Sequence, residues 1–235
     1  MSADGSRGAR GIASKITVVI ATKNEAATIQ DVIEGVRPHA DEILVVDGHS
    51  TDDTRKLAME VGARVELDRG RGKGDAVRTA IDKAKGDVLV FIDADGSHEP
   101  ADIPKVVAPI LRDEADLVIA SRGRGGSDEA FGTISDFMRH TGGHIILLAI
   151  NYRFGVRLTD CQNGFRAIRT DVARLLGLRE DLATIEQEML IRCLKGGYRV
   201  TDVPSHEYRR RFGETRLPLW KVSHRFVWSL LKNLR

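Results

Sequence analysis

Short β-branched segments alternate with helical segments through the first half of this 235-residue chain, and this alternation restricts the fold more than any other feature. The predicted buried strands are 16–21, 42–47, 64–67, 87–92 and 116–120. Helical patterns lie between them, at 27–36, 52–61, 75–84 and 101–111. Strand–helix alternation with short connections predicts an α/β fold with a mostly parallel, doubly wound sheet.

The second half is less regular. A Gly-rich loop at 122–127 precedes a long helical stretch from about Phe131 to Tyr152. A polar turn, a helix, a strand at 199–203 and an Arg-rich loop at 209–216 follow. No repeat or Pro/Gly-rich linker divides the chain, so we expect a flexible tail at 1–15, one domain at 16–216 and a terminal helix at 217–235.

Two carboxylates one residue apart follow the predicted strand 87–92. Asp93 and Asp95, with Gly96 permitting a tight turn, can reach a hard divalent cation and leave positions open for phosphate oxygens. The arrangement predicts Mg²⁺ or Mn²⁺. The alternative is that the two acids only cap the helix that begins near Pro100. The buried strand before them and the polar loops expected beside them favour the metal site.

Polar loops also follow two neighbouring strands, at 22–25 and 47–50, on the sheet edge where ligands bind. Asp47 can accept hydrogen bonds from a base or ribose. Glu25 can do the same, or it can face the dipole of the next helix. In the glycine-rich basic loop 69–74, Lys73 is a candidate for binding phosphate, although the loop lacks the spacing of the known fingerprints.

The segment 205–235 contains eight Lys or Arg and two acids, a net charge of +6, whereas the whole chain carries +2. This distribution predicts an anionic partner. We expect no nucleic acid, because an aromatic content of 5% is too low for bases to stack over a wide surface. The arginines of 209–216 suit bidentate phosphate binding instead.

The terminal segment forms an amphipathic pattern. Its apolar side comprises Trp220, Val227, Leu230, Leu231 and Leu234, with Phe226 at the margin; Lys221, Arg225, Lys232 and Arg235 lie opposite. This pattern is typical of a helix in a membrane interface. It is equally typical of a helix packed on its domain with the basic side in water. The charge of the segment and the apolar run 145–150 favour the membrane.

Several features indicate the compartment. The tail 1–15 has no apolar stretch, so we expect no secretory signal. The longest apolar run, 145–150, is far shorter than the ~20 residues of a membrane span. Cys161 and Cys193 form no disulfide framework. We therefore expect a cytoplasmic protein that is peripheral at the inner face of the cell membrane.

Taken in order, the motifs resemble the family-2 glycosyltransferases, and among them the dolichyl- or polyprenyl-phosphate mannosyltransferases. The matching residues are Thr22-x-Asn24-Glu25, Val45-Val46-Asp47-Gly48-x-Ser50-x-Asp52-x-Thr54, Asp93-Ala94-Asp95-Gly96-Ser97, Ser121-Arg122, Gly164-Phe165-Arg166, Gln187-Glu188-Met189 and Arg210-x-x-Gly213-x-Thr215-Arg216-Leu217. The family usually has Pro and an aromatic residue at positions 21 and 23 and a longer amide at 97. These departures leave the donor base and sugar open.

The resemblance implies a GT-A fold, which is Rossmann-like with a mostly parallel sheet flanked by helices. It also implies inverting transfer of a hexose from a nucleoside-diphosphate sugar to a polyprenyl or dolichyl phosphate. GDP-mannose is the first candidate for the donor. The implied metal ligands are Asp93, Asp95 and Ser97. The expected donor-binding residues are Ala21, Thr22, Glu25, Asp47, Lys73, Asp93, Ala94 and Asp95. The expected acceptor and phosphate ligands are Arg122, Arg139, Arg210 and Arg216.

The expected catalytic residues are Asp95, Arg210 and Glu188, and the role of Glu188 depends on the acceptor. A phosphate monoester is largely dianionic at neutral pH, since its second pKa is about 6, and it needs no base. A hydroxyl acceptor needs one, and Glu188 is then the candidate, unless it is a structural helix acid. The alternatives are a soluble family-2 enzyme that uses UDP-glucose or another donor with a hydroxyl acceptor, and a sugar-nucleotide-binding protein that has lost catalysis.

Overall fold

The computed structural model describes residues 14–128, 134–210 and 219–234. Within them, seven strands form one sheet in the order β3-β2-β1-β4-β6-β5-β7. The strands are β1 (Ile16–Thr22), β2 (Glu42–Asp47), β3 (Arg64–Leu67), β4 (Val88–Asp93), β5 (Leu117–Ser121), β6 (Arg166–Arg169) and β7 (Val200–Pro204). Only β6 among these runs antiparallel to its neighbours, β4 and β5. The predicted mostly parallel sheet is confirmed.

Helices cover both faces of the sheet. They are α1 (Ile29–Val36), α2 (Thr54–Glu60), α3 (Lys73–Lys83), α4 (Ile103–Leu111), α5 (Arg122–Gly125), α6 (Ile134–Phe154), α7 (Thr170–Leu175), α8 (Ile185–Lys195) and α9 (Leu219–Leu234). Successive residues of a strand point to opposite faces. Val18 and Ile20 therefore pack with α1 and α4, whereas Val19 packs with α3, α6 and α8.

The sequence did not predict β6 or α7, and it assigned the short α5 to a loop. The strand β6 has a direct effect on the site. Because β6 is antiparallel, the turn that precedes it, including Gly164, lies at the same edge as the carboxyl end of β4. The loops that meet at this edge therefore include one from the second half of the chain, the turn before β6.

The terminal helix α9 packs against α6 and α8. Leu230 is buried and Phe226 and Leu234 pack against the core, while Val227 and Leu231 are about half exposed. The side chain of Gln187 donates a hydrogen bond to the carbonyl of Phe226 (3.1 Å). The predicted apolar side is therefore divided between the protein and solvent. The side chains of Trp220, Lys221 and Arg235 lie outside the described residues. None of the described helices is long and apolar enough to cross a bilayer.

Candidate active site

Asp93, the last residue of β4, is held by a lysine, by a histidine and by close packing. Lys73, the first residue of α3, places its Nζ 2.7 Å from Asp93 Oδ1 and 2.9 Å from Glu186 Oε1. The Nε2 of His98 lies 3.4 Å from the other oxygen of Asp93. Burial alone would raise the pKa of Asp93, but Lys73 and His98 outweigh it and hold that pKa well below its usual range.

The same pairing fixes the charge of Lys73. Burial alone would lower the pKa of this ammonium, but the carboxylates of Asp93 and Glu186 outweigh burial and raise it. Lys73 is therefore a permanent cation at the edge of the sheet. This geometry suits its predicted role as a ligand for donor phosphate.

Asp95, two residues further on, is buried and held differently. Its Oδ1 accepts hydrogen bonds from the backbone N–H (3.1 Å) and the hydroxyl (2.6 Å) of Ser97. Its Oδ2 lies 3.2 Å from Nε of Arg210. The intervening Gly96 adopts a positive φ of 72°, which glycine tolerates without strain. Ser97 orients the carboxylate, and Arg210 supplies a counter-charge.

The donor set at this edge suits a divalent cation that takes its remaining ligands from water and phosphate. Asp93 and Asp95 offer hard carboxylate oxygens, and each faces a cationic side chain, Lys73 or Arg210. No group of three or more His, Cys, Asp or Glu among the residues described could hold a metal by itself. The site therefore fits Mg²⁺ or Mn²⁺ bound together with a diphosphate rather than an all-protein cage.

The loops after β1 and β2 are joined beside these acids. The backbone N–H of Asn24 donates to the Ser50 hydroxyl (2.8 Å), and the N–H of Thr51 donates to the Asn24 side chain (2.8 Å). Asp47 is fully buried and accepts from the backbone N–H of Ser50 (2.9 Å). Its carboxylate thus shapes the loop, and a contact with a nucleoside stays a prediction.

The remaining predicted donor residues line the same edge. Ala21 pairs in register with Asp93, and Thr22 accepts from Gly48 N–H through its carbonyl (2.8 Å). The carbonyl of Ala94 accepts from the Thr28 hydroxyl (2.6 Å). The backbone N–H of Glu25 donates to Thr54 (2.9 Å). Their contacts with a ligand stay predictions.

Arg122 begins α5 on the other side of the site. Its Nε and Nη2 bind Asp160 in a two-point pair (2.7 and 3.1 Å), and Nη1 lies 3.5 Å from Glu207. Burial alone would raise the pKa of Asp160, but Arg122 lowers it to about 2. The backbone N–H of Tyr208 donates to the carbonyl of Ser97 (2.8 Å), so the segment that carries Glu207 and Arg210 joins both halves of the site.

Two other predicted phosphate ligands are not placed by the structure. The side chain of Arg139 and the whole of Arg216 lie outside the described residues, so both stay predictions.

Glu188 does not occupy the position that the sequence analysis allowed for a base. It is fully buried, accepts from the backbone N–H groups of Arg179 (2.9 Å) and Glu180 (2.8 Å), and pairs with Arg192 (2.8 Å). These are the contacts of a structural acid, which was the stated alternative. The acid at the site is Glu186, which the sequence analysis missed.

Comparison with known proteins identifies the family. The family model described as glycosyl transferase family 2 matches residues 17–177. The chain belongs to glycosyl transferase family 2. The chain is 36% identical over 200 residues, 84% of its length, to glycosyltransferase AglJ of Haloferax volcanii, and it spans 64% of the length of that protein.

Two further similarities are informative. The chain is 27% identical over 213 residues to UDP-N-acetylglucosamine–dolichyl-phosphate N-acetylglucosaminyltransferase of Methanococcus voltae, covering 80% of this chain and 84% of the relative. It also resembles the crystal structure of glucosyl-3-phosphoglycerate synthase of Mycobacterium tuberculosis in complex with Mn²⁺, UDP-glucose and phosphoglyceric acid. That match has a TM-score of 0.73 and 26% identity over 94% of this chain and 80% of the other. The fold is GT-A.

Gly164 makes a testable contribution to the candidate site. A Cβ at position 164 would lie 2.7 Å from Asp93 Oδ2 and 2.9 Å from Lys73 Nζ. Both atoms end side chains that can move, so we expect Gly164→Ala to leave the free energy of unfolding within about 1 kcal/mol of the wild-type value. Displacement of the two groups should lower turnover about 100-fold. Urea unfolding and initial rates measure the two effects.

Gly142→Ala is the matched control, because a Cβ at position 142 of α6 meets no atom within 4 Å among the described residues. Its turnover should equal that of the wild type. If Gly164→Ala also keeps full activity, the close packing of Asp93 and Lys73 is irrelevant to catalysis.

Proposed function

We propose that this glycosyltransferase transfers a hexose, with inversion, from a nucleoside-diphosphate sugar to a polyprenyl or dolichyl phosphate. The observation that supports a phosphate acceptor best is the placement of two arginines. Arg210 lies 3.2 Å from Asp95, and Arg122 lies 3.5 Å from Glu207, on the segment that is hydrogen-bonded to Ser97. Guanidinium groups bind phosphate oxygens in two-point contacts. The name of the relative from Methanococcus voltae, a dolichyl-phosphate transferase, also supports this acceptor class.

In this proposal Asp93 and Asp95 hold Mg²⁺ or Mn²⁺, with Ser97 fixing the orientation of Asp95. When bound, the ion neutralises the charge that develops on the leaving nucleoside diphosphate. Lys73 adds a second positive charge from α3, while Asp47, Glu25, Thr22 and Ala21 surround the nucleoside. An acceptor phosphate is already a dianion at neutral pH, so the arginines position it and no base removes a proton.

The identity of the donor is tested directly by ligand-induced stabilisation. GDP-mannose is the donor implied by the sequence motifs, whereas the relatives described above are named for UDP-N-acetylglucosamine or were crystallised with UDP-glucose. Thermal shifts with each of these three donors, with and without Mn²⁺, should single out one, because a ligand of the folded state raises Tm in proportion to saturation. No Mn²⁺-dependent shift with any nucleotide sugar would contradict the proposal.

Arg122→Lys should lower kcat/KM for polyprenyl phosphate about 100-fold, which is about 2.7 kcal/mol, while the Kd of the donor stays unchanged. Lysine keeps the positive charge but cannot bind two phosphate oxygens in a two-point contact. Rates against acceptor concentration and donor titration measure the two quantities. Arg112→Lys is the matched control, because Arg112 makes a similar two-point pair with Glu114 after α4. Equal losses in both variants would remove Arg122 from acceptor binding.

One observation favours a second candidate, transfer to a hydroxyl group. Glu186 is buried, and its Oε2 has no hydrogen-bond partner among the described residues. A carboxylate of this kind beside Lys73 can accept a proton from a hydroxyl acceptor. The assay that separates the candidates offers polyprenyl phosphate and 3-phosphoglycerate side by side. Sugar on phosphoglycerate alone would replace the first proposal by the second.

The proposal places the enzyme in the cytoplasm, peripheral at the inner face of the cell membrane, with residues 217–235 in contact with lipid. The described part of α9 has an exposed apolar side, including Val227 and Leu231, and it has basic residues, including Arg225. These features support contact with an anionic surface.

A further inference from the structure

The exposed apolar side chains of the described residues are concentrated on two helices. Six of the twelve large apolar side chains with substantial exposure belong to α6 and α9. The six are Ile145, Leu148, Tyr152, Val227, Trp228 and Leu231. Apolar exposure on two helices that contact each other marks an interaction surface.

The exposed side of α6 lies opposite its core side. Ile145, Leu148 and Tyr152 are spaced i, i+3 and i+7, which places them on one helix face, and they are 64%, 66% and 94% exposed. Ile146 and Ile150 point the other way, into the core. Since α9 packs against α6, a second helix with exposed apolar groups lies next to this face.

The charged side chains of α9 and of the segment 141–154 of α6 are all basic. Neither α9 nor the segment 141–154 of α6 contains Asp or Glu. Exposed basic residues, Arg153 on α6 and Arg225 on α9, accompany the apolar side chains. An apolar surface with cations and without acids complements a bilayer that carries anionic headgroups.

The buried side of α6 contacts the turn that carries Asp160, on the acceptor side of the site. The thiol of Cys161 lies 3.9 Å from the carbonyl of Gly143, one turn before Leu147. The neighbouring Asp160 pairs with Arg122 (2.7 Å), and the same turn continues to Gly164 beside Asp93.

We propose that Ile145, Leu148 and Tyr152 of α6, together with Val227, Trp228 and Leu231 of α9, form a docking surface for anionic membranes. We expect these side chains to enter the membrane interface without spanning the bilayer, because they project from helices that pack on the protein. This inference extends the proposed lipid-phosphate acceptor, on which it rests, from the terminal segment to α6. Tyr152 and Trp228 suit the headgroup level, since each has an apolar ring and a polar atom.

The test uses the full chain and vesicles with about one-third anionic lipid. Ile145→Gln/Leu148→Gln/Tyr152→Gln should weaken vesicle binding in sedimentation assays at least tenfold, and Trp228→Gln/Leu231→Gln should do the same. The control is Met59→Gln/Leu111→Gln/Leu175→Gln, which replaces three apolar side chains that are also at least half exposed, on or beside α2, α4 and α7. The control should bind vesicles as the wild type does.

The results below either support or contradict the docking surface. Deleting α9 is avoided because Leu230 is buried in the core. Unchanged vesicle binding by the α6 variant would overturn the inference. A second result would also overturn it: the wild type is a dimer, and the α6 variant is a monomer that still binds vesicles. The surface would then bind a second copy of the chain. Transfer to a soluble short-chain isoprenyl phosphate tests the acceptor separately. If that transfer fails while vesicle binding depends on α6, the docking surface stands and the acceptor is wrong.

Discussion

Asp93→Asn is expected to lower turnover about a thousandfold, equivalent to about 4 kcal/mol of transition-state stabilisation. The substitution removes one of the two charged carboxylates proposed for the metal and the partner of Lys73 Nζ at 2.7 Å. It preserves the shape of the side chain, so the fold should persist. Initial rates with saturating Mn²⁺ and donor provide the measurement.

Asp82→Asn is the matched control, since Asp82 is an exposed carboxylate on α3, the helix that carries Lys73. It should keep wild-type turnover. Chelation provides an independent check, because EDTA should reduce the wild-type rate to that of Asp93→Asn. Full activity in EDTA would show that the two acids serve a purpose other than metal binding.

The second large effect is on stability. Glu188→Ala is expected to lower the free energy of unfolding by about 3 to 4 kcal/mol, because it leaves two buried N–H groups and the Arg192 guanidinium without their carboxylate. Urea unfolding at neutral pH measures this loss. If the remaining folded protein is saturated with substrates, its turnover should be close to that of the wild type.

Glu186→Gln gives the opposite pattern and serves as the comparison. Its unfolding free energy should change by about 1 kcal/mol, while its effect on rate depends on the acceptor. With a phosphate acceptor the loss should appear mainly in the Kd of the donor, through Lys73. With a hydroxyl acceptor kcat should fall about 100-fold or more, because a base has been removed. A stable, fully active Glu186→Gln together with an inactive, stable Glu188→Ala would reverse our assignment of the two acids.

Most strands were predictable because their residues determine them locally. β1 and β4 contain the apolar runs 18–21 and 88–92, and such runs are typical of strands buried on both faces. The Asp93–Asp95 turn was predictable for the same reason, since it follows one of these runs directly. In contrast, β6 has four residues and an arginine at each end. It forms because β4 and β5 both pair with it, which is a tertiary effect that the local pattern does not contain.

That the sequence indicated Glu188 and not Glu186 also has a physical origin. Residues two apart on a helix point about 200° apart, so one of the two must face away from the site. Both are flanked by apolar residues of α8 that are buried in the structure, including Ile185 and Met189, so the hydrophobic pattern does not distinguish their directions. The contact with Lys73 on α3 shows that Glu186 is the acid that faces the site. This contact depends on the fold and is not visible in the sequence.

The antiparallel strand β6 has a consequence for how the protein is made. β4 and β5 follow one another along the chain, but β6 lies between them in the sheet. During synthesis, the edges of β4 and β5 that face each other therefore stay unpaired until residues 166–169 have been made. An unpaired strand edge is a template for wrong association. Gly164 comes against Asp93 in the same step that closes the sheet. A nascent chain that stops short of β6 would have both acids of the turn and no assembled active site, so we expect completion of the fold and the start of activity to coincide.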